Sequence, residues 1–379
     1  MIKVNSTTRK ILIPLFSILA GFLVGAIIML FYSYNPLQAY GSMIQGSLGS
    51  SVSIGETLRQ ATPLIFTALG FSVANSAGFF NIGLSGQALA GWVASIWVAL
   101  AFPNLPTFVL LPLAIIAGAL AGAIMGAIPG FLRAFFGTSE VIVTIMLNYV
   151  ALYLSTYLMQ DVMPAHFRTS QDATKMISHH ATLHVDWLSH MFGDSRVHFG
   201  LFLALIALVV VWVIMKKTTL GFEIRSVGLN PFASEYAGMS SKKTIIMSMV
   251  ISGTLAGLGG VMEGLGTYQN FFIQTASMSI GFDGMAVSLL GGGSSLGILL
   301  SALLFSILQI GGLGMQTGAG VPFEIVSIVT ASIIFFVGID YVISKLFKNK
   351  DNANKELPKT PIAKEVVTEE KDAQEGGRL

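Results

Sequence analysis

The chain has no cysteine among its 379 residues, so disulfide staples and thiolate metal sites are excluded in any compartment. Charge is nearly as scarce: Asp, Glu, Lys and Arg make up 11% of the sequence, against 53% hydrophobic residues. No G-x-x-x-x-G-K-[ST] occurs, so the glycine runs at 291–293 and 311–314 are not phosphate loops, and the chain carries no ATPase site of its own. The apolar runs contain no histidine and no carboxylates paired at a useful spacing, which argues against a membrane enzyme. They also lack the Asp, Glu and His relay of a proton-driven pump. "GSSLG" at 293–297 has the spacing of a nucleophile elbow, but the last histidine, His198, lies upstream of it. It reads as small residues at a helix start. Nothing resembles a nucleic-acid-binding module.

What is present is apolar length. Several runs exceed the roughly 20 residues needed to cross a bilayer, so the fold class is an all-α polytopic membrane protein. Spans are expected near 11–33, 56–77, 80–101, 107–128, 139–160, 199–215, 243–263, 278–291, 295–314 and 322–341, about ten transmembrane helices. The first follows Lys3, Arg9 and Lys10 and is long enough to be an uncleaved anchor. With the N-terminus inside, Arg133, Lys216, Lys217, Arg225, Lys242, Lys243, Lys345, Lys348 and Lys350 all fall on the cytoplasmic side. The segment 34–55 has no Lys or Arg and reads as an outside loop. Arg168, Lys175 and Arg196, in a long outside loop at about 161–198, run against the rule. Both termini are then cytoplasmic, and spans two to five and seven to ten form two four-helix blocks starting from opposite sides. This is the geometry of an inverted repeat. The transmembrane domain covers 1–344; the charged, proline-containing segment 345–379 reads as a disordered cytoplasmic tail.

All six histidines fall in the outside loop. His180 and His184 have the i, i+4 spacing that could grip zinc on a helix, but no carboxylate sits within the pair, and no metal site is expected. Inside the membrane, glycines speak for close helix packing: Gly118, Gly122, Gly126 and Gly130 line one face, and Gly21 with Gly25 and Gly253 with Gly257 repeat the spacing. Polar residues in the spans are few. Asn148 and Gln309 are candidates for an interhelical hydrogen bond or for lining a path, while Glu140, Glu263 and Asp283, near predicted span ends, are expected to reach water.

One cytosolic stretch is different in kind. In "GLNPFASEYAGMSSKK" (228–243), Asn230 and Pro231 start a helix and Gly238 stops it. About two turns are too short to persist alone. The helix needs a partner surface, either a membrane interface or another protein. Phe232 and Tyr236 share one face and would be its anchors.

Three stretches together place the chain beside a known family. "FFNIGLSGQALAG" (79–91), "VGLNPFASEYAGMSSKK" (227–243) and "GFDGMAVSLLGG" (281–292) resemble the membrane permeases of ATP-binding-cassette importers for sugars, branched-chain amino acids and nucleosides. The nucleoside branch is the most similar. The resemblance covers most of 55–340, and the middle motif is its most specific part. It implies that Asn230, Pro231, Ala233, Glu235, Tyr236 and Gly238 form a coupling helix docking on a separate ATPase. It places Asn81, Gly83, Ser85, Gly86, Gln87, Asp283 and Gly284 in family motifs and makes them candidates for the translocation path, for which Asn148 and Gln309 are candidates only as polar residues within the spans. Ser85 stands where the family carries Glu and Met285 where it carries Ile, so a carboxylate's role at 85 is lost here. The resemblance further implies an ATPase subunit that holds ATP and Mg, a second and related permease chain, a substrate-binding lipoprotein outside, and a bacterial cell membrane. Ribose or another sugar, branched-chain amino acids, and an ion-coupled carrier that needs no ATPase are the competing readings.

Overall fold

A computed structural model describes the backbone of residues 6–348 and the side chains of residues 14–336. The described residues form fourteen α-helices: α1 (Ser6–Phe31), α2 (Pro36–Leu48), α3 (Ser51–Ser76), α4 (Leu84–Ala101), α5 (Thr107–Phe136), α6 (Glu140–Tyr157), α7 (Asp186–Met191), α8 (Gly200–Lys217), α9 (Thr219–Leu229), α10 (Pro231–Tyr236), α11 (Ser241–Val261), α12 (Ser279–Leu290), α13 (Ser295–Ala319) and α14 (Phe323–Lys348). α6 and α11 each continue into a π-helical turn, Leu158–Val162 and Met262–Tyr268. Among the described residues seven segments are long and apolar enough to cross a membrane: Pro14–Phe31, Leu84–Ala101, Thr107–Phe136, Glu140–Val162, Gly200–Lys217, Ser241–Tyr268 and Ser295–Ala319. Each of the ten apolar runs coincides with a helix. α3 is more polar than the seven, and α12 and the described part of α14 are shorter.

Local chemistry sets many of the boundaries. Asn35 caps α2 by accepting the Leu37 N–H at 3.0 Å ahead of Pro36, and Ser50, Ser240 and Ser294 cap α3, α11 and α13. Ser294, from the "GSSLG" stretch, accepts the Gly297 N–H at 3.2 Å. Segment 34–55, expected to be an outside loop from its lack of Lys and Arg, is therefore mostly helix rather than loop. It holds α2 and the first turn of α3, and α2 buries Ala39, Met43 and Ser47. Gly46 of α2 rests on Gly314 of α13, where an added Cβ would lie 2.7 Å from the Gly314 Cα. α14 takes in residues 345–348 of the segment read as tail; 349–379 lie outside the described residues.

The core is organised around two helices that cross, α3 and α11. A Cβ at Gly70 of α3 would lie 2.7 Å from the Ser252 carbonyl of α11. α4 and α5 pack on α11, while α12 and α13 pack on α3; α4 also meets α6 as α12 meets α14. The tightest seam joins α5 to α11. Gly118, Gly122, Gly126 and Gly130 face Val261, Gly257, Gly253 and Met249, and a Cβ at Gly257 would sit 2.6 Å from the Gly118 carbonyl and 3.0 Å from the Gly122 Cα. Gly91 of α4 joins the same crossing against Gly257. Without side chains between them, backbones approach to van der Waals contact, which drives helix association where apolar burial gives no advantage.

The long loop before α8 is not a freely solvated loop. Its backbone is pinned to the end of α11: Thr174 donates to the Phe271 carbonyl at 2.8 Å, Ile177 to Gln269 at 2.9 Å and Leu183 to Leu265 at 3.0 Å. The π-helical turn leaves the Leu265 carbonyl available, and it also accepts the Thr182 hydroxyl at 3.3 Å. Residues 180–184 are a turn followed by extended chain, so His180 and His184 do not share a helix face. Among the described residues no group of three or more acidic or histidine side chains gathers as metal ligands.

His198 closes this cap from beneath. It is 1% exposed, and its Nδ1 accepts the Gly200 N–H at 3.2 Å, which leaves the proton of the neutral ring on Nε2. Burial, reinforced by the Arg59 charge, pushes its pKa from 6.5 down to about 3. Between those pH values the unfolded chain takes up a proton that the folded chain refuses. The contribution is present above about pH 6.5 and declines below it, by up to about 1.4 kcal/mol per pH unit. Unfolding in detergent is expected to become easier from pH 7 to pH 5, and His198→Asn, which keeps an acceptor for Gly200, should flatten the slope. An unchanged slope in the variant would assign the effect to another group.

Candidate translocation core and coupling element

Where α3 and α11 cross, the starts of α4 and α12 are wedged against them. Asn81, in the turn before α4, donates to Gln87 Oε1 at 3.0 Å and to Ser252 Oγ of α11 at 2.8 Å, and accepts the Gly83 N–H at 3.0 Å. Asn148 of α6 accepts the Gly86 N–H at 2.8 Å and donates to the Ile82 carbonyl at 3.0 Å. Both asparagines, Ser85 and Gln87 are buried. Ser85 donates to the Met278 carbonyl at 2.8 Å, and Thr67 of α3 donates to the Ile280 carbonyl at 3.0 Å. Gly281 and Gly284 let α12 close over Ser85 and Thr67; a Cβ at Gly281 would lie 2.8 Å from the Ser85 Cα. A carboxylate could not donate to the Met278 carbonyl, so serine suits this position. Two motifs, distant in sequence, thus form one hydrogen-bonded joint between α4, α6, α11 and α12. Asn148 acts in it as an interhelical clamp.

A second polar chain runs from mid-core to the cap over the end of α11. Gln309 of α13 donates to Asp283 Oδ2 at 3.0 Å and accepts from Gln60 of α3 at 2.6 Å. Arg59 donates to Gln60 at 3.3 Å, to Thr267 at 3.3 Å and to Glu56 at 2.7 Å, and Glu56 in turn holds Arg196 of the cap at 2.9 Å. Asp283, Gln309 and Gln60 are half-buried, so one side of this chain is open. Glu56, Arg59, Gln60 and Arg196 were not among the expected site residues. The signal for them was an arginine inside a membrane run, "ETLRQ" at 56–60, three residues after a glutamate. Glu263 corrects a further expectation. It does not reach water: α11 continues past it as the π-helical turn, and it is 4% exposed, with Oε2 unpartnered among the described residues. A cavity of about 460 Å³ lies beside the cap, lined by Leu100, Pro103, Phe167, Lys175 and Met176 and by none of these polar residues.

The third element faces the other way. Asn230 Oδ1 accepts the Ala233 N–H at 3.1 Å and Pro231 opens α10; Ser234, the buried member, donates to the Asn230 carbonyl at 2.9 Å. Gly238, at φ +82, turns the chain so that Met239 can donate to the Ser234 carbonyl. Ser241 ties α10 to α11 through the Pro231 carbonyl at 3.0 Å. The outward face carries Phe232 at 76% and Tyr236 at 95% exposure, with Ala233 and Glu235 also exposed and Leu229 extending the patch. Behind it, α9 ends on the foot of α3: Gly228 packs on Ser76 and Ala77, and a Cβ there would lie 2.9 Å from the Ala77 carbonyl carbon. Ser76 and Ala77 lead directly into the turn that holds Asn81. An exposed aromatic patch, a backbone contact and a hydrogen-bonded joint lie in sequence.

Comparison with known proteins gives this arrangement its context. The model of the family described as branched-chain amino acid transport system / permease component matches residues 53–339. The chain is 54% identical to the nucleoside ABC transporter permease protein NupB of Lactococcus lactis, over 89% of this chain and 93% of that one. It is 46% identical to the guanosine ABC transporter permease protein NupP of Bacillus subtilis, over 88% and 94%. With the glucose ABC transporter permease protein TsgB13 of Haloferax volcanii the identity is 36%, over 88% of each. No solved structure matches the chain significantly. With the family model covering all three elements, the chain belongs to the family of membrane permease components typified by branched-chain amino acid transport systems.

Proposed function

We propose that the chain is one permease subunit of an ATP-driven importer that carries nucleosides across a bacterial cell membrane. The substrate rests on one observation, the near full-length similarity to permeases named for nucleosides and for guanosine, which exceeds that to the glucose permease. The chain supplies path and coupling and no chemistry. A separate ATPase holds ATP and Mg, a second and related permease completes the path, and a lipoprotein outside delivers the substrate.

The ten apolar helices and the placement of Lys and Arg favour a ten-span arrangement with both termini inside, in which α9 and α10 lie in the cytosol and the cap over α11 outside. The paired packing, α4 and α5 on α11 with α12 and α13 on α3, is what an inverted repeat produces. Closure of the ATPase domains moves α10 through Phe232 and Tyr236. Gly228 passes that movement to the foot of α3, and the turn holding Asn81 passes it to α6 and α11 through Asn148 and Ser252. Glycine-lined seams allow such helices to rock without rebuilding side-chain packing.

The test is uptake of labelled nucleosides by cells with and without the gene, with unlabelled nucleosides, ribose, glucose and leucine as competitors. Loss of uptake on deletion, restored by the gene and blocked by nucleosides alone, is expected. Unchanged nucleoside uptake in cells without another nucleoside carrier would overturn the substrate assignment. Uptake that collapses with an uncoupler while ATP is held constant would overturn the ATP-driven mechanism.

A further inference from the structure

The helix faces this subunit exposes to its surroundings are not alike. α5 presents Ile116, Leu120 and Ile124, and α8 presents Leu205, Ile206 and Val209, each well exposed. No polar side chain interrupts residues 109–131 or 201–211. These are faces for lipid. α6 exposes Tyr149, Tyr153 and Tyr157, spaced i, i+4, i+8 along one face at 55%, 70% and 55% exposure. None of the three hydroxyls has a hydrogen-bond partner among the described residues.

Depth makes the difference meaningful. Tyrosines that anchor a span sit in the interfacial belts at its ends. The apolar segment Glu140–Val162 has Ala151 at its middle, with Tyr149 and Tyr153 two residues to either side, about 3 Å along the axis. With half of the hydrocarbon layer at about 15 Å, both rings lie on the order of 10 Å from either headgroup layer. Facing lipid there, each phenol would be held without a partner. This face therefore meets something that accepts hydrogen bonds and tolerates broad aromatic surfaces.

We infer that Tyr149, Tyr153 and Tyr157 form the wall of the translocation path that receives the nucleobase, a ladder of stacking positions about 6 Å apart along which a nucleoside passes with its ribose hydroxyls and ring nitrogens meeting the phenols. The inference rests on the nucleoside reading proposed above. Aromatic faces stack on every base, so a ladder serves purine and pyrimidine nucleosides alike. Several equivalent, weak positions favour passage over retention. The opposite face of the same turn is clamped to the joint: Asn148, adjacent to Tyr149, holds Gly86 and Ile82. Movement of the joint thus carries the ladder with it.

The absence of cysteine in this chain permits a direct test. In the complete transporter in proteoliposomes, Tyr149→Cys and Tyr153→Cys are expected to react with a charged, water-soluble thiol reagent, and guanosine should slow the reaction. Leu120→Cys, at mid-depth on α5, should stay unlabelled. Tyr149→Leu with Tyr153→Leu is expected to lower nucleoside uptake about tenfold or more. The two permeases should still co-purify and ATP hydrolysis should persist. The Tyr→Phe pair, which keeps the stacking faces but removes the hydroxyls that meet the nucleoside, should lower uptake by less than the leucine pair. Labelling as slow as at Leu120→Cys, or uptake unaffected in the leucine pair, would overturn the ladder while the nucleoside reading stood. Loss of co-purification in the leucine pair would make the face a seam between permeases instead. A parent transporter that does not take up nucleosides would overturn the nucleoside reading itself, and the ladder with it.

Discussion

Replacing Gly257 with leucine is expected to abolish accumulation of the folded subunit. Three helices meet at this residue: an added Cβ would lie 2.6 Å from the Gly118 carbonyl and 3.0 Å from the Gly122 Cα of α5, and Gly91 of α4 also closes on the Gly257 backbone. The neighbouring atoms are backbone and cannot rotate away, so α5, α4 and α11 would have to separate. Even Gly257→Ala should lose about 1–3 kcal/mol, the usual cost of overpacking a close contact. Gly41→Ala is the matched control. Gly41 lies exposed within α2, and a methyl group added there would meet nothing within 4 Å. The same substitution at that position should gain about 0.5–1 kcal/mol from restricting the unfolded chain. Unfolding followed in detergent separates the two. Equal stability of Gly257→Ala and the parent would mean that the α5–α11 seam is looser than described.

Phe232→Ala combined with Tyr236→Ala should leave the fold intact and remove transport. Both rings are mostly exposed, so truncation leaves no cavity, and the change in stability should stay within about 0.5 kcal/mol. Aromatic anchors at interfaces commonly contribute about 2 kcal/mol or more each, so losing both should weaken ATPase docking by at least two orders of magnitude, roughly. Uptake should fall accordingly, with an unchanged unfolding profile. Asn230→Ala should act between these limits, because it removes only the cap of α10, worth about 1 kcal/mol. Full uptake in the double variant would assign α10 to the membrane interface rather than to a partner protein.

Much of this architecture is legible in the sequence because it rests on local chemistry. The apolar runs mark the helices, and Asn230, Pro231 and Gly238 bracket α10 closely, since capping and chain reversal depend on a few neighbouring residues. The four-residue spacing from Gly118 to Gly130 identifies a packing face, but only the structure shows that its partner is the Gly253–Gly257 face of α11. What stays hidden depends on tertiary partners. α2 is too short and polar to read as membrane helix and is held by α13. The π-helical turn at Met262–Tyr268 has no periodicity of its own. It moves Glu263 from an expected span end into the interior, and it frees the carbonyl that fastens the cap. Asn148 and Asn81 stand out as polar residues among apolar ones, yet their joining of α6 and α11 to one turn arises from the crossing of helices far apart in sequence.

The most direct test of coupling through α10 uses the same cysteine-free background. A single Ala233→Cys, placed on the exposed face of α10, should cross-link to the ATPase subunit in membranes, with a yield that changes when ATP is added. Such a link, in a transporter that still takes up nucleosides, is what a docking helix requires. No link to any ATPase at any nucleotide state, with uptake intact, would contradict it.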